Sequence, residues 1–139
     1  MPFVESDGKY ITFSALGELV YRRYLYLNYI PKIDLSIDSY KQYKEIKDKK
    51  TLKIINKMFL KLLNEDLRKN NEHEKVNETK SDLEIMKEGN TAERIFYFMD
   101  GSLPKVCLIY TAHDFYENAL NRGIAFKSKF ENFKRIEIE

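Results

Sequence analysis

The sequence predicts an α+β fold in which a small antiparallel sheet packs against a helical pair, with extra elements at both ends. Three observations carry this. Two runs rich in β-branched and aromatic residues, Arg94-Ile-Phe-Tyr-Phe-Met and Lys105-Val-Cys-Leu-Ile-Tyr-Thr-Ala, are joined by Asp100-Gly-Ser-Leu-Pro104, which is a hairpin signal. Upstream, Ile33, Leu35 and Ile37 alternate with polar residues as a half-buried strand does. Between the two, Leu52, Ile55, Phe59, Leu62, Leu63 and Leu67 recur at helical spacing. Helices bunched between strands, without strict alternation, point to helices gathered on an antiparallel sheet.

Taken in order, residues 1–9 read as a tail and residues 10–13 as a short strand. Ser14 suits the cap of a helix over residues 15–29, although residues 25–30 also fit a strand. Tyr21, Tyr24, Tyr26 and Tyr29 spread around that helix, so some of them would be exposed, as ordinary packing or as a contact for a partner or a second copy. Pro31 ends the segment and the alternating strand follows. Asp38 or Ser39 then caps a short helix to about residue 47, and Asp48 or Thr51 starts a longer one to about residue 69. Residues 70–81 are polar and aperiodic, which predicts a mobile loop. Residues 83–87 suit an edge strand, and Glu88-Gly-Asn a turn into the hairpin. After the second hairpin strand, Asp114 and Glu117 have the spacing of a capping box, and Gly123 suits the left-handed stop of that helix. Residues 124–139 fit a helix in their first half and a strand in their last.

The 139 residues fit one domain, divided into an N-terminal extension over 1–31, a core over 32–116, and a C-terminal helix and tail over 117–139. A chain of this size buries enough surface to fold alone. Cys107, the single cysteine, sits in an apolar run, which excludes an intrachain disulfide and suggests a reducing, cytoplasmic setting. The polar, acidic start lacks the pattern of a signal peptide, and no apolar run approaches the roughly 20 residues that span a bilayer. A net charge of +2 permits an RNA or an acidic protein partner and requires neither.

Several short motifs resemble one family. A strand precedes a helical pair containing Tyr40-Lys-Gln-Tyr-Lys and Asp48-Lys-Lys-Thr-Leu-Lys-Ile-Ile-Asn-Lys, and then come Leu83, Gly89, Arg94-Ile and Tyr97. Over residues 32–116 this resembles the RelE/ParE superfamily of bacterial toxins, closest to its YoeB/Txe-like branch. The Arg94-Ile-Phe-Tyr-Phe strand and the helix after it are also similar to a phage HigB-like branch. The resemblance implies the toxin of a type II toxin-antitoxin system, a ribosome-dependent endoribonuclease that cuts messenger RNA, inhibits translation and is neutralised by an antitoxin protein. Such cleavage uses the ribose 2′-hydroxyl as nucleophile, so it needs a proton acceptor, a proton donor for the leaving oxygen and a cation for the phosphate. It implies no metal and no other cofactor.

Carried over residue by residue, Arg94 matches the strand arginine that stabilises developing negative charge. His113 and Tyr116 match the acid/base and orienting residues near the end of the family's core, with Asp114 and Phe115 intervening here. Glu84 lies near the family's loop carboxylate, and Asp82 or Glu78 fits almost as well. Lys49, Lys50, Lys53 and Lys57 fall on the polar side of the long helix, as an RNA-binding face or as a solvated face balanced by nearby acids. Each site residue also has a plain structural reading: Arg94 as an edge arginine paired with Glu93 or Asp100, His113 as a helix-terminal hydrogen bonder, Tyr116 as core. His73 and His113 lack ligand spacing for a metal. The reading set against the ribonuclease is a non-catalytic interaction module of phage or plasmid origin on a RelE-like sheet, using the tyrosine-rich front segment.

Overall fold

The computed structural model describes residues 30–138, and one compact unit begins at Pro31. The strand expected over 10–13, the helix expected over 15–29 and the tyrosine-rich surface lie outside the described residues. Within them the fold is α+β. A six-stranded, mostly antiparallel sheet runs in the order β2-β3-β4-β5-β1-β6, from β1 (Lys32–Ser36), β2 (His73–Glu74), β3 (Glu84–Lys87), β4 (Arg94–Asp100), β5 (Leu103–Tyr110) and β6 (Phe133–Glu137). Four helices accompany it: α1 (Ile37–Lys44), α2 (Lys49–Leu63), α3 (Glu65–Asn70) and α4 (His113–Asn121).

Side-chain alternation gives the sheet two apolar faces. On one, Ile55, Met58, Phe59 and Leu62 of α2 pack against Ile33, Leu35, Met86, Ile95, Tyr97, Val106 and Ile109. On the other, Tyr116 and Leu120 of α4, with Ala125 and Phe130, cover Ile85, Phe96, Cys107 and Leu108. The hairpin forms where expected, with Asp100 opposite Leu103 and Gly101 at φ 63° in the left-handed conformation that a two-residue turn needs. Its ladder carries one irregularity. Phe96 pairs with Leu108 but Tyr97 with Val106, so Cys107 is the extra residue of a bulge. Burial there pushes the Cys107 thiol up to about 12.

β1 lies parallel to β5 and antiparallel to β6. It stops at Ser36 because that side chain caps α1, accepting from the Ser39 N–H at 3.0 Å and donating to the Cys107 carbonyl at 2.6 Å. Ile37 therefore begins the helix, 48% exposed, where alternation predicted a buried strand residue. Past this point α1 takes the place of β1 along β5, and the Ile109 N–H donates to Gln42 Oε1 at 2.7 Å.

Other expectations change. The long helix is two: Asn64 ends α2 and its side chain accepts from the Leu67 N–H at 3.0 Å, which turns Leu67 out of the apolar stripe to 51% exposure. Met58 takes a buried place in the stripe instead. The span read as a mobile loop contains β2, so β3 is not the edge of the sheet. The Asp114–Glu117 capping box does not form, since α4 starts at His113 behind Ala112 with no side-chain cap. Gly123 does supply the left-handed stop, at φ 69°. The helix expected after it is a single 3₁₀ turn, Lys127–Lys129, and the terminal strand is β6.

Asp34 is buried between its direct cross-strand neighbours, accepting from Lys105 Nζ at 2.6 Å and Arg135 Nε at 2.7 Å. The Arg135 hydrogen bond outweighs burial and, with Lys105, holds the Asp34 carboxyl below its ordinary value of 3.8. A depressed carboxyl contributes stability that is present above its unfolded pKa and is lost as pH falls through the folded one. Stability should therefore fall below about pH 4, the ordinary Asp range. Asp34→Asn should flatten this part of the acid-denaturation curve, and an unchanged curve would show that Asp34 does not drive it.

Candidate functional site

The N-terminal end of β4 carries the candidate site. Arg94 points to the face covered by α4 and is 7% exposed. Its guanidinium donates to the Thr91 carbonyl at 2.7 Å and the Glu93 carbonyl at 2.9 Å through Nη1, and to Glu74 Oε1 through Nη2 at 3.1 Å and Nε at 3.3 Å. The carboxylate partner is thus Glu74 of β2, twenty residues away in sequence, and not Glu93 or Asp100. The guanidinium lies over the Tyr116 ring, 5.1 Å from its centroid, a cation–π contact in a largely dry setting. His113, exposed at the start of α4, is in T-shaped contact with the same ring, with centroids 4.9 Å apart. Burial and the Glu74 charge raise the Tyr116 hydroxyl above its ordinary value, against the opposing pull of Arg94, so it stays protonated at neutral pH.

Three of the four residues carried over from the resemblance, Arg94, His113 and Tyr116, therefore converge. Glu84 does not join them. It pairs with Tyr97, and Tyr97 belongs to the α2 face, so Glu84 is an exposed residue on the other side of the sheet. Glu74 supplies the carboxylate at Arg94. Sequence reasoning missed it because a two-residue strand leaves no periodicity to read; the only local signal was the alternation of His73 and Glu74 themselves.

That alternation divides the two residues between the faces. His73 turns to the α2 side, where Nδ1 lies 3.0 Å from the Asn71 carbonyl and Nε2 lies 2.8 Å from the Tyr97 hydroxyl. A carbonyl only accepts, so Nδ1 carries the hydrogen, and in the neutral ring Nε2 accepts from Tyr97. Burial, with the Glu84 charge adding to it, pushes the Tyr97 hydroxyl up to about 12, so it remains the donor. β2 is thereby pinned to β4 from both faces, through His73 to Tyr97 and through Glu74 to Arg94.

Lys49, Lys50, Lys53 and Lys57 are exposed on α2, with the sheet between them and Arg94. Lys57 is further engaged with Glu88 at 3.1 Å, as is Lys61 at 2.9 Å. Burial opposes the Glu88 charge, yet these two lysines hold its pKa below the ordinary value. Nearer the candidate site, Tyr110 stands directly opposite Arg94 on β5 and packs its ring against Phe96. Tyr110 also lines an open depression of 330 Å³ with Gln42, Asp48, Thr51 and Phe115, the last 60% exposed. Among the described residues no group of three or more His, Cys, Asp or Glu side chains could hold a metal ion, and no helix is long and apolar enough to cross a membrane. No protein family, curated protein or solved structure matches the chain.

Proposed function

We propose that the chain is a RelE-like toxin ribonuclease that cuts messenger RNA on the ribosome and is held in check by an antitoxin protein. The observation that carries this reading is the meeting of Arg94, Tyr116 and the exposed His113 on one face of the sheet. Support also comes from the order of elements, in which β1 and the three helices α1, α2 and α3 precede an antiparallel meander, β2 to β5, whose last strand lies beside β1. In the reaction the 2′-hydroxyl attacks the adjacent phosphorus, its proton passes to a base, and the 5′-oxygen leaves with a proton from an acid. A 2′,3′-cyclic phosphate and a 5′-hydroxyl result. His113 is the exposed group able to accept or donate a proton, and Arg94 supplies the positive charge for the crowded phosphate oxygens. Phe115 and Tyr110, which both line the open depression, give aromatic surfaces on which unpaired bases stack.

A second reading has its own support. All three guanidinium nitrogens of Arg94 already donate within the chain, which is what a structural brace in a non-catalytic interaction module would do. Induced expression in bacteria separates the two. Wild type should arrest growth and leave cleaved messenger, while His113→Ala should do neither and yet keep the fold, because exposed substitutions change stability by only about ±0.5 kcal/mol. Normal growth and intact messenger with a soluble, folded wild type would turn the assignment to the interaction module.

A further inference from the structure

We propose that Arg94 and Lys87 form a phosphate seat occupied by the chain's own Glu74 carboxylate, which an RNA phosphodiester must displace to enter. This deepens the ribonuclease reading and rests on it for the identity of the ligand. Lys87 of β3 and Arg94 of β4 are direct cross-strand partners, so their side chains leave the sheet on the same face. Two like charges directly opposite one another are unfavourable unless an anion lies between them. One does: Glu74 Oε1 is 3.1 Å from Arg94 Nη2 and 3.6 Å from Lys87 Nζ. A single carboxylate oxygen thus faces both cations.

Carboxylate and phosphate present the same pattern to a guanidinium, two adjacent anionic oxygens that accept its paired N–H groups. A phosphodiester carries the same single charge as Glu74 and presents two non-bridging oxygens, one for each cation, whereas Glu74 meets both Arg94 and Lys87 through Oε1 alone. The Glu74 side chain can turn away while His73 still ties β2 to Tyr97. β2 is a two-residue strand at the end of the sheet, and the Glu74 side chain is 27% exposed against 8% for Arg94. When Glu74 turns outward it uncovers Arg94 from the solvent side. An anion held by Arg94 is linked to His113 through one ring, since the guanidinium lies over Tyr116 and Tyr116 is in T-shaped contact with His113. The arrangement keeps the cationic site closed until a phosphate competes for it.

Glu74→Gln tests this, since it keeps size and a carbonyl acceptor for Arg94 but removes the charge. Two probes are used, inorganic phosphate and a short single-stranded oligonucleotide with 2′-deoxy sugars that the reaction cannot cut. Removing a charge-assisted competitor should tighten binding of both by at least about tenfold, and adding Lys87→Met should abolish the gain. Equal affinity in wild type and Glu74→Gln, or a gain that survives Lys87→Met, would overturn the seat. If Glu74→Gln does not fold, the Arg94 Nε–H resonance of the unaltered chain decides: it should move saturably on titration with inorganic phosphate, and a resonance that stays put overturns the proposal. A gain for phosphate without one for the oligonucleotide keeps the seat and removes RNA as its ligand. A wild type active on messenger whose Glu74→Gln variant gains nothing removes the seat and leaves the ribonuclease standing.

Discussion

Replacing Arg94 by alanine is expected to lower messenger cleavage by about 10²–10³-fold, the usual effect of removing one preorganised charge donor from a transition state. It should also destabilise the fold by about 2–4 kcal/mol, because four hydrogen bonds and a partly buried ion pair go with it. The second effect is a departure from what a strand-opening arginine suggests in sequence, where a partly exposed side chain would be removed at little cost. Chemical denaturation beside the cleavage assay separates the two. Glu74→Gln is the control, since it breaks the same ion pair while leaving the cation in place. If Arg94→Ala and Glu74→Gln lose cleavage to the same extent and in step with their loss of stability, Arg94 braces the edge of the sheet and takes no part in the chemistry.

The other large effect is expected at the core of the α2 layer. Phe59 and Leu62 are fully buried on successive turns of the stripe that covers the sheet. Leu62→Ala should cost about 2–5 kcal/mol and Phe59→Ala about 3–5 kcal/mol, through lost burial and the cavity left behind. For a domain of this size either is a large part of the total stability. A drop in the midpoint of urea unfolding with an unchanged slope is the expected signature. A change below about 1 kcal/mol at both positions would mean that the layer repacks freely and does not rest on this stripe.

How much of this was legible in the sequence follows from the range of the forces involved. The hairpin was legible because strand composition and turn chemistry are local, and the α2 stripe because its period is intrinsic to a helix. The break at Asn64 was not, since a side-chain cap within an otherwise continuous pattern gives no change of period. β2 was invisible for a different reason: its two residues are a strand only because β3 lies beside them, and polar composition pointed the other way. That one miss also hid the carboxylate at Arg94, so Glu84 stood in for Glu74. Arg94, His113 and Tyr116 could be named from a resemblance of motifs, but their contact depends on α4 folding back over the sheet, a tertiary event. The lysines of α2 show the converse, since a basic helical face can be read from sequence while the side of the sheet it ends on cannot.

The bulge at Cys107 bears on how this strand can change over evolutionary time. Because Cys107 is the unpaired residue, Val106 and Leu108 already face opposite sides of the sheet in the phase that a regular ladder would give them. Loss of that codon would leave Ile109 on the α2 face and Tyr110 opposite Arg94. Loss of a codon within β4 would instead carry every residue on one side of the gap to the wrong face. Position 107 is thus where the hairpin tolerates a difference in length, and homologues one residue shorter there would keep both faces, and the neighbourhood of Arg94, intact.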